Sequence, residues 1–237
     1  MKDNRSYYDD FAAWYENERH GGYHALIDQL QVDLAKPLAT GRDLLEIGCG
    51  TGMILKELAP VARNAVGIDI SPGMLTQAQA RGLEVVVGSA TDLPFQAESF
   101  DFICSFKVLA HIEDIQKVMQ EVSRVLRPGG VAALEFYNTK SLRTLIKHLK
   151  SPHAISEESN DEDVYTRYDS IEDVASYLPA ELHIKDIKGI RVFTPVAQVH
   201  KLPVIKNIFA QAERWARDHS IFSKFGGFMV VIVEKQS

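Results

Sequence analysis

Asp43-Leu44-Leu45-Glu46-Ile47-Gly48-Cys49-Gly50-Thr51-Gly52 is a short apolar run closed by glycines at every second position. Asp43–Ile47 reads as a buried strand, and the glycines as a sharp turn into a helix over roughly 53–60. A chain that turns this tightly while its backbone approaches a ligand has little room for side chains and visits positive φ. The free N–H groups at the start of the helix then face that ligand. A G-x-G-x-x-G spacing would suit a dinucleotide. Here the slot for its last glycine is Met53, so a nicotinamide or flavin group fits less well.

Outward from this turn, strands and helices alternate. Asn64–Asp69, Glu84–Val87, Phe100–Ser105 and Val131–Phe136 are apolar or β-branched runs of strand length. Ser71 followed by Pro72 marks a helix start. Ile112, Ile115, Met119, Val122 and Leu126 recur at helical spacing, and Arg127-Pro128-Gly129-Gly130 ends that helix. The alternation predicts an α/β fold with a doubly wound, Rossmann-like, mostly parallel sheet. Beyond Phe136 the pattern changes. It reads as a basic amphipathic helix at Ser141–Lys150, an acidic linker over 151–163 and a helix at Ser170–Leu178. A strand at Leu182–Val192, a helix at Val204–Ala216 and an apolar strand at Phe228–Val233 follow. Tyr7–Arg19 reads as a helix that precedes the sheet.

The 237 residues are 46% hydrophobic with a net charge of −6. This suits one domain with a sizeable core and gives no polyanion-binding signature, so nucleic acid is a poor default partner. The only cysteines, Cys49 and Cys104, stand far apart and read as buried free thiols. No zinc or iron–sulfur spacing and no run long enough to span a bilayer is visible, and no signal peptide is expected. A cytoplasmic, metal-independent protein is expected.

The stretch 44–136 resembles the class I S-adenosylmethionine-dependent methyltransferases, in particular the small-molecule group that includes ubiquinone and menaquinone methyltransferases. Glu46-Ile47-Gly48-Cys49-Gly50-Thr51-Gly52 resembles that family's first motif, and Val66-Gly67-Ile68-Asp69-Ile70-Ser71 its second. The resemblance implies S-adenosylmethionine as cofactor and a seven-stranded sheet. It gives Asp69 the role of accepting both ribose hydroxyls, and Glu46, Gly48, Cys49, Gly50, Gly52 and Ile70 places around the cofactor. Met74 matches a residue that packs on adenine. Gly88-Ser89-Ala90-Thr91-Asp92-Leu93-Pro94-Phe95 resembles G-D-A-x-x-L-P-F, with Ser89 where the family carries an acid for the adenine amino group. Ala90 and Thr91 complete that rim. Ser105 and Phe106, at the end of the fourth strand, border the methionine part. Arg124–Gly130 resembles R-V-L-K-P-G-G.

The family organisation divides the chain into a helical lid over 1–40, a cofactor core over 41–137, a cap insertion over 138–170 and a completion of the sheet over 171–237. In the lid, Tyr7, Tyr15 and Arg19 suit contact with the cofactor, because an arginine pairs with a carboxylate and a tyrosine offers one O–H on a rigid arm.

Methyl transfer needs alignment, contact distance and exclusion of water, and a neutral O–H or N–H acceptor must also lose a proton. His111, in Leu109-Ala110-His111-Ile112, resembles a segment of small-molecule methyltransferases and is a candidate base. His20 and His24, beside the paired glycines Gly21 and Gly22, are two others. A capping or packing role competes for His111, and ordinary aromatic packing competes for the N-terminal segment. Tyr23, His24, Lys107, Tyr137, Tyr165 and Tyr168 are candidate substrate contacts. Their chemistry suits a lipophilic or aromatic small molecule, with oxygen favoured over nitrogen or carbon as the methylated atom. The alternatives are a protein or RNA methyltransferase, against whose amino-methylating branch Ser105-Phe106-Lys107-Val108 argues, and a non-catalytic cofactor-binding module. Monomer and homodimer both stay open.

Overall fold

The computed structural model describes residues 22–141, 165–193, 203–219 and 221–236, with side chains from 24 onward and, in the last long helix, from 210 onward. The helix read at Tyr7–Arg19, the helix read at Ser141–Lys150 beyond its first residue, and the linker over 151–163 lie outside the described residues.

Seven strands form one sheet in the order β3-β2-β1-β4-β5-β7-β6. They are β1 (Asp43–Ile47), β2 (Asn64–Asp69), β3 (Val85–Val87), β4 (Phe100–Ser105), β5 (Leu126–Tyr137), β6 (Leu182–Ile190) and β7 (Phe228–Lys235). Strands β1 to β5 are parallel, whereas β7 runs antiparallel to both β5 and β6. The helices are α1 (Gly22–Ala39), α2 (Leu55–Leu58), α3 (Pro72–Ala80), α4 (Ile115–Val125), α5 (Ile171–Tyr177) and α6 (Pro203–Asp218).

The sheet is buried on both faces because successive side chains alternate. Leu44, Phe102, Val131, Val230 and Ile232 pack with Leu26, Leu30 and Leu34 of α1 and Leu55 and Leu58 of α2. Leu45, Ile103, Ala132, Leu134, Val231 and Val233 meet Ile115, Val118, Met119 and Val122 of α4. Ile115, Met119 and Val122 belong to the helical stripe seen in the sequence, and Val118 joins them.

Local chemistry fixes the helix ends. The Ser71 hydroxyl accepts the Met74 N–H at 3.1 Å and Pro72 takes the first helical position. Ser170 and Asp173 form a reciprocal capping box at α5.

Three of the differences from the sequence reading have a clear physical cause. Helix α4 starts at Ile115 rather than Ile112, because a 3-10 turn at Leu109–His111 intervenes and the Asp114 side chain caps the helix. Strand β5 begins at Leu126, and the pairing slips between Phe100 and Phe102 where Pro128 and Gly129 enter. A proline tolerated in a strand sits at such an irregularity. Helix α1 covers a segment where the paired glycines suggested a hinge, and it carries Pro37 in its last turn. Its buried Leu26, Ile27, Leu30, Leu34 and Ala35 carry a helical period that Gly22 and Pro37 mask.

At the amino edge of the sheet, Asp43 and Asp101 are held by Arg63 and Arg127. These ion pairs leave the opposite, carboxyl edge for ligands.

Candidate active site

Strand order reverses beside β1: β2 lies on one side and β4 on the other. A crevice outside the carboxyl ends of the strands is where ligands bind in open α/β sheets. The glycine turn leaves β1 at this point. Gly48, Gly50 and Gly52 have φ of 72°, 53° and 80°. The Gly48 N–H donates to the Ile68 carbonyl at 2.7 Å, tying the turn to β2. A Cβ on Gly48 would lie 2.2 Å from a Val108 methyl carbon, and one on Gly52 2.4 Å from Leu83. At Gly50 a Cβ would meet nothing within 4 Å, so that glycine opens onto free space.

Asp69, at the end of β2, faces the same turn. Its Oδ2 accepts the Gly50 N–H and its Oδ1 the Ser71 N–H, both at 2.9 Å. These two bonds orient the carboxylate, whose oxygens can each accept more than one hydrogen bond. The Thr51 hydroxyl is buried and finds no hydrogen-bond partner among the described residues. A cradle with open space at Gly50, a fixed acid and an unused hydroxyl fits a nucleoside with a sugar diol.

Other predicted residues surround this point. Ile70 is 39% exposed and Met74 is buried. Glu46 is buried in β1, in register with Gly67 and Cys104. Cys49 and Cys104 are buried free thiols, both pushed well above the usual thiol range by burial. Ser89 turns inward on its own loop: its Oγ lies 2.8 Å from Thr91 Oγ1 and accepts the Thr91 N–H at 3.2 Å. Ala90 is half-buried beside it. The Ser105 hydroxyl donates to the Ile47 carbonyl at 3.0 Å and Phe106 is buried, so the end of β4 is fixed against the end of β1.

The other side of the crevice gathers His111, Tyr137, Tyr165 and Tyr168. His111 Nδ1 lies 2.9 Å from the Tyr165 carbonyl oxygen, and Nε2 lies 3.4 Å from the Tyr137 hydroxyl. A carbonyl only accepts, so Nδ1 carries the proton and Nε2 the lone pair. Burial lowers the His111 pKa, against the opposing effect of the Tyr165 bond. The Tyr137 ring stands edge-on to His111 at 5.6 Å and near Tyr168 and Phe228, at 5.8 and 5.2 Å.

The sequence did not single out what holds this cluster. Arg167 donates to the carbonyls of Ile112 and Leu109, at 2.7 and 3.1 Å, and pairs through Nε with both oxygens of buried Asp169. The Arg167 N–H also donates to the Ala110 carbonyl at 2.7 Å. Tyr177 completes the group: its hydroxyl donates to Asp169 and its pKa is pushed up to about 12, by burial first and Asp169 second. An Arg-x-Asp pair so close in sequence gives no signal until the chain is folded.

Lys107, a candidate substrate contact, is paired with an acid of α1. Its Nζ lies 2.5 Å from Asp28 on α1 and its φ is +62°. His24 is exposed on the first turn of α1. Tyr23 belongs to the same turn, but its side chain is outside the described residues, as are Tyr7, Tyr15, Arg19 and His20. Among the described residues no group of three or more His, Cys, Asp or Glu side chains could hold a metal ion, and no helix is long and apolar enough to cross a membrane.

The fold and the cradle fit an α/β protein that takes a nucleoside, and comparison with known proteins supplies its class. The methyltransferase domain family matches residues 45–134. An uncharacterized protein of Methanocaldococcus jannaschii is 30% identical over 200 residues, covering 84% of this chain and 89% of that protein. Demethylmenaquinone methyltransferase of Corynebacterium efficiens is 33% identical over 102 residues, covering 43% of this chain and only 44% of that enzyme. A solved S-adenosylmethionine-dependent methyltransferase of Thermotoga maritima superposes with a TM-score of 0.66 at 19% identity, over 97% of this chain and 98% of that one. This chain belongs to the class I S-adenosylmethionine-dependent methyltransferases, and S-adenosylmethionine is its cofactor.

Proposed function

We propose that the enzyme methylates a small lipophilic or aromatic metabolite, on oxygen in the first instance, with His111 as the base. The observation that carries this reading is the neutral imidazole whose Nε2 lone pair faces an aromatic cluster, beside Tyr137. The aromatic rings suit a flat apolar acceptor. The similarity to demethylmenaquinone methyltransferases over the core supports a small-molecule acceptor.

The cofactor supplies an activated methyl group, and the protein supplies the rest. Asp69 would hold a sugar diol, the turn at Gly48–Gly52 would give close backbone approach, and Ile70, Met74, Ser89, Ala90 and Thr91 would form the wall for the adenine ring. Tyr7, Tyr15 and Arg19, with the lid over 1–40, would close on the cofactor. Tyr23, His24, Lys107, Tyr137, Tyr165 and Tyr168, with the cap over 138–170, would receive the acceptor. His111 removes the acceptor proton at Nε2 while the Tyr165 carbonyl retains the Nδ1 proton. His20 and His24 are the alternative bases. We place the enzyme in the cytoplasm, acting without a metal and without nucleic acid.

Labelled methyl groups from the cofactor, offered with a cell extract, are expected in solvent-extractable small molecules. Label found only in protein or RNA would contradict the proposal. With an acceptor in hand, His111→Gln is expected to lower kcat by about 10² or more while cofactor affinity is unchanged. The lowered pKa places the loss of wild-type rate on the acid side, below the ordinary histidine range. An unchanged kcat in His111→Gln would remove His111 from the mechanism.

A further inference from the structure

Among the described residues of the site rim, Lys107 is the one non-glycine residue held in a left-handed backbone, at φ +62°. A lysine there is strained and persists only where its surroundings hold it. Its N–H donates to Glu135 Oε1 at 3.0 Å, and its ammonium meets Asp28 Oδ1 at 2.5 Å. Glu135 projects from β5 and is 1% exposed. Its other oxygen accepts from Gln31 Nε2 of α1 at 2.6 Å. The residue after the bend, Val108, occupies the space that a Gly48 side chain would need, with both its methyl carbons within 2.7 Å of the ideal Cβ. The direction of the bend therefore decides where Val108 presses on the glycine turn.

We propose that Glu135 is a positioning residue for the cofactor turn. By accepting the Lys107 N–H it fixes the left-handed bend that sets Val108 against Gly48, and so it shapes the cradle without touching the cofactor. This rests on the glycine turn being the cofactor cradle. A glutamate that only tied α1 to the sheet would contribute to stability and leave the cradle alone. Its burial costs the charged form dearly, which the chain tolerates in an acceptor placed under a strained amide.

The test titrates S-adenosylhomocysteine into the full-length wild type, Glu135→Gln, Glu135→Leu, Val108→Ala and the Glu135→Leu/Val108→Ala double variant by calorimetry, with thermal melts alongside. Glu135→Gln keeps an acceptor oxygen and is expected to bind within twofold of wild type. Glu135→Leu is expected to bind tenfold or more weakly. The two changes share one route, so the double variant is expected to bind no more than twofold more weakly than Glu135→Leu alone. A folded Glu135→Leu with wild-type affinity would overturn the inference, as would single effects that multiply in the double variant. Failure of the wild type to bind would instead refute the cofactor cradle itself.

Should Glu135→Leu not fold, hydrogen exchange on the wild type decides. Added S-adenosylhomocysteine is expected to slow exchange in the 106–109 segment together with 47–52. Slowing confined to 47–52 would overturn the inference.

Discussion

Gly48 and Gly50 show one residue type meeting two demands. Both have positive φ, which costs a residue with a Cβ about 1–2 kcal/mol. At Gly48 the Cβ would also collide with Val108, whereas at Gly50 it would point into open space. Gly48→Ala is therefore expected to destabilise the fold by about 2 kcal/mol or more in denaturant unfolding. Gly50→Ala is expected to cost about 1 kcal/mol and to weaken cofactor binding more than folding. Equal stability losses in the two variants would contradict the assignment of their roles.

Glu135 gives a prediction about pH. Burial is the main cause that raises its pKa from 4.5 to about 7, against the lowering effects of Lys107 and Gln31, with Asp28 adding slightly to the rise. A raised carboxyl pKa means that the folded state holds a proton the unfolded state has lost between these values. Its contribution to stability is full below the unfolded pKa and is lost as pH rises through about 7. The loss is of the order of 3 kcal/mol at most, at 1.36 kcal/mol per unit. Relative to wild type, Glu135→Gln is expected to gain stability between pH 5 and pH 8. A difference that does not vary with pH would show that Glu135 does not titrate in this window.

Among the elements, the segment over 165–169 matters most to the candidate chemistry. It crosses the 3-10 turn that carries His111 and ties that turn down through Arg167 and Asp169. Breaking a buried ion pair by removing one partner costs about 3–5 kcal/mol. Arg167→Ala is expected to fall near the lower end of that range, because Tyr177 still donates to Asp169. Urea unfolding checks this, and a change under 1 kcal/mol would show that the strap holds little. This strap was not legible in the sequence, which offered Tyr165 and Tyr168 as aromatic substrate contacts and gave Arg167 and Asp169 no role. The elements it did disclose were those with a strong local signal: the helical stripe of α4, the Ser71–Pro72 start of α3 and the apolar strands. The bounds of helix α1, inside the expected helical lid, were hidden because Gly22 and Pro37 speak for turns. Its tertiary contacts with the sheet override them, as packing commonly does for weak local preferences.

At the scale of the molecule, the order of the strands does the functional work. It brings the carboxyl ends of β1, β2 and β4 together, so that Gly50, Asp69 and Ser105, distant in sequence, border one crevice. The parallel half of the sheet and the cofactor motif were readable because buried strands and glycine turns leave local marks. The partners of Lys107 were not, because Asp28 and Glu135 sit 79 and 28 residues away and meet it only after folding.

Whether Asp69 and the glycine turn hold the cofactor's nucleoside is decided by calorimetric titration of S-adenosylhomocysteine into wild type and Asp69→Ala. Saturable binding by the wild type is expected, with an affinity lower by about a hundredfold in the variant, as the loss of two charge-assisted hydrogen bonds implies. Equal affinity in the two proteins, or no saturable binding by the wild type, would contradict that placement of the nucleoside.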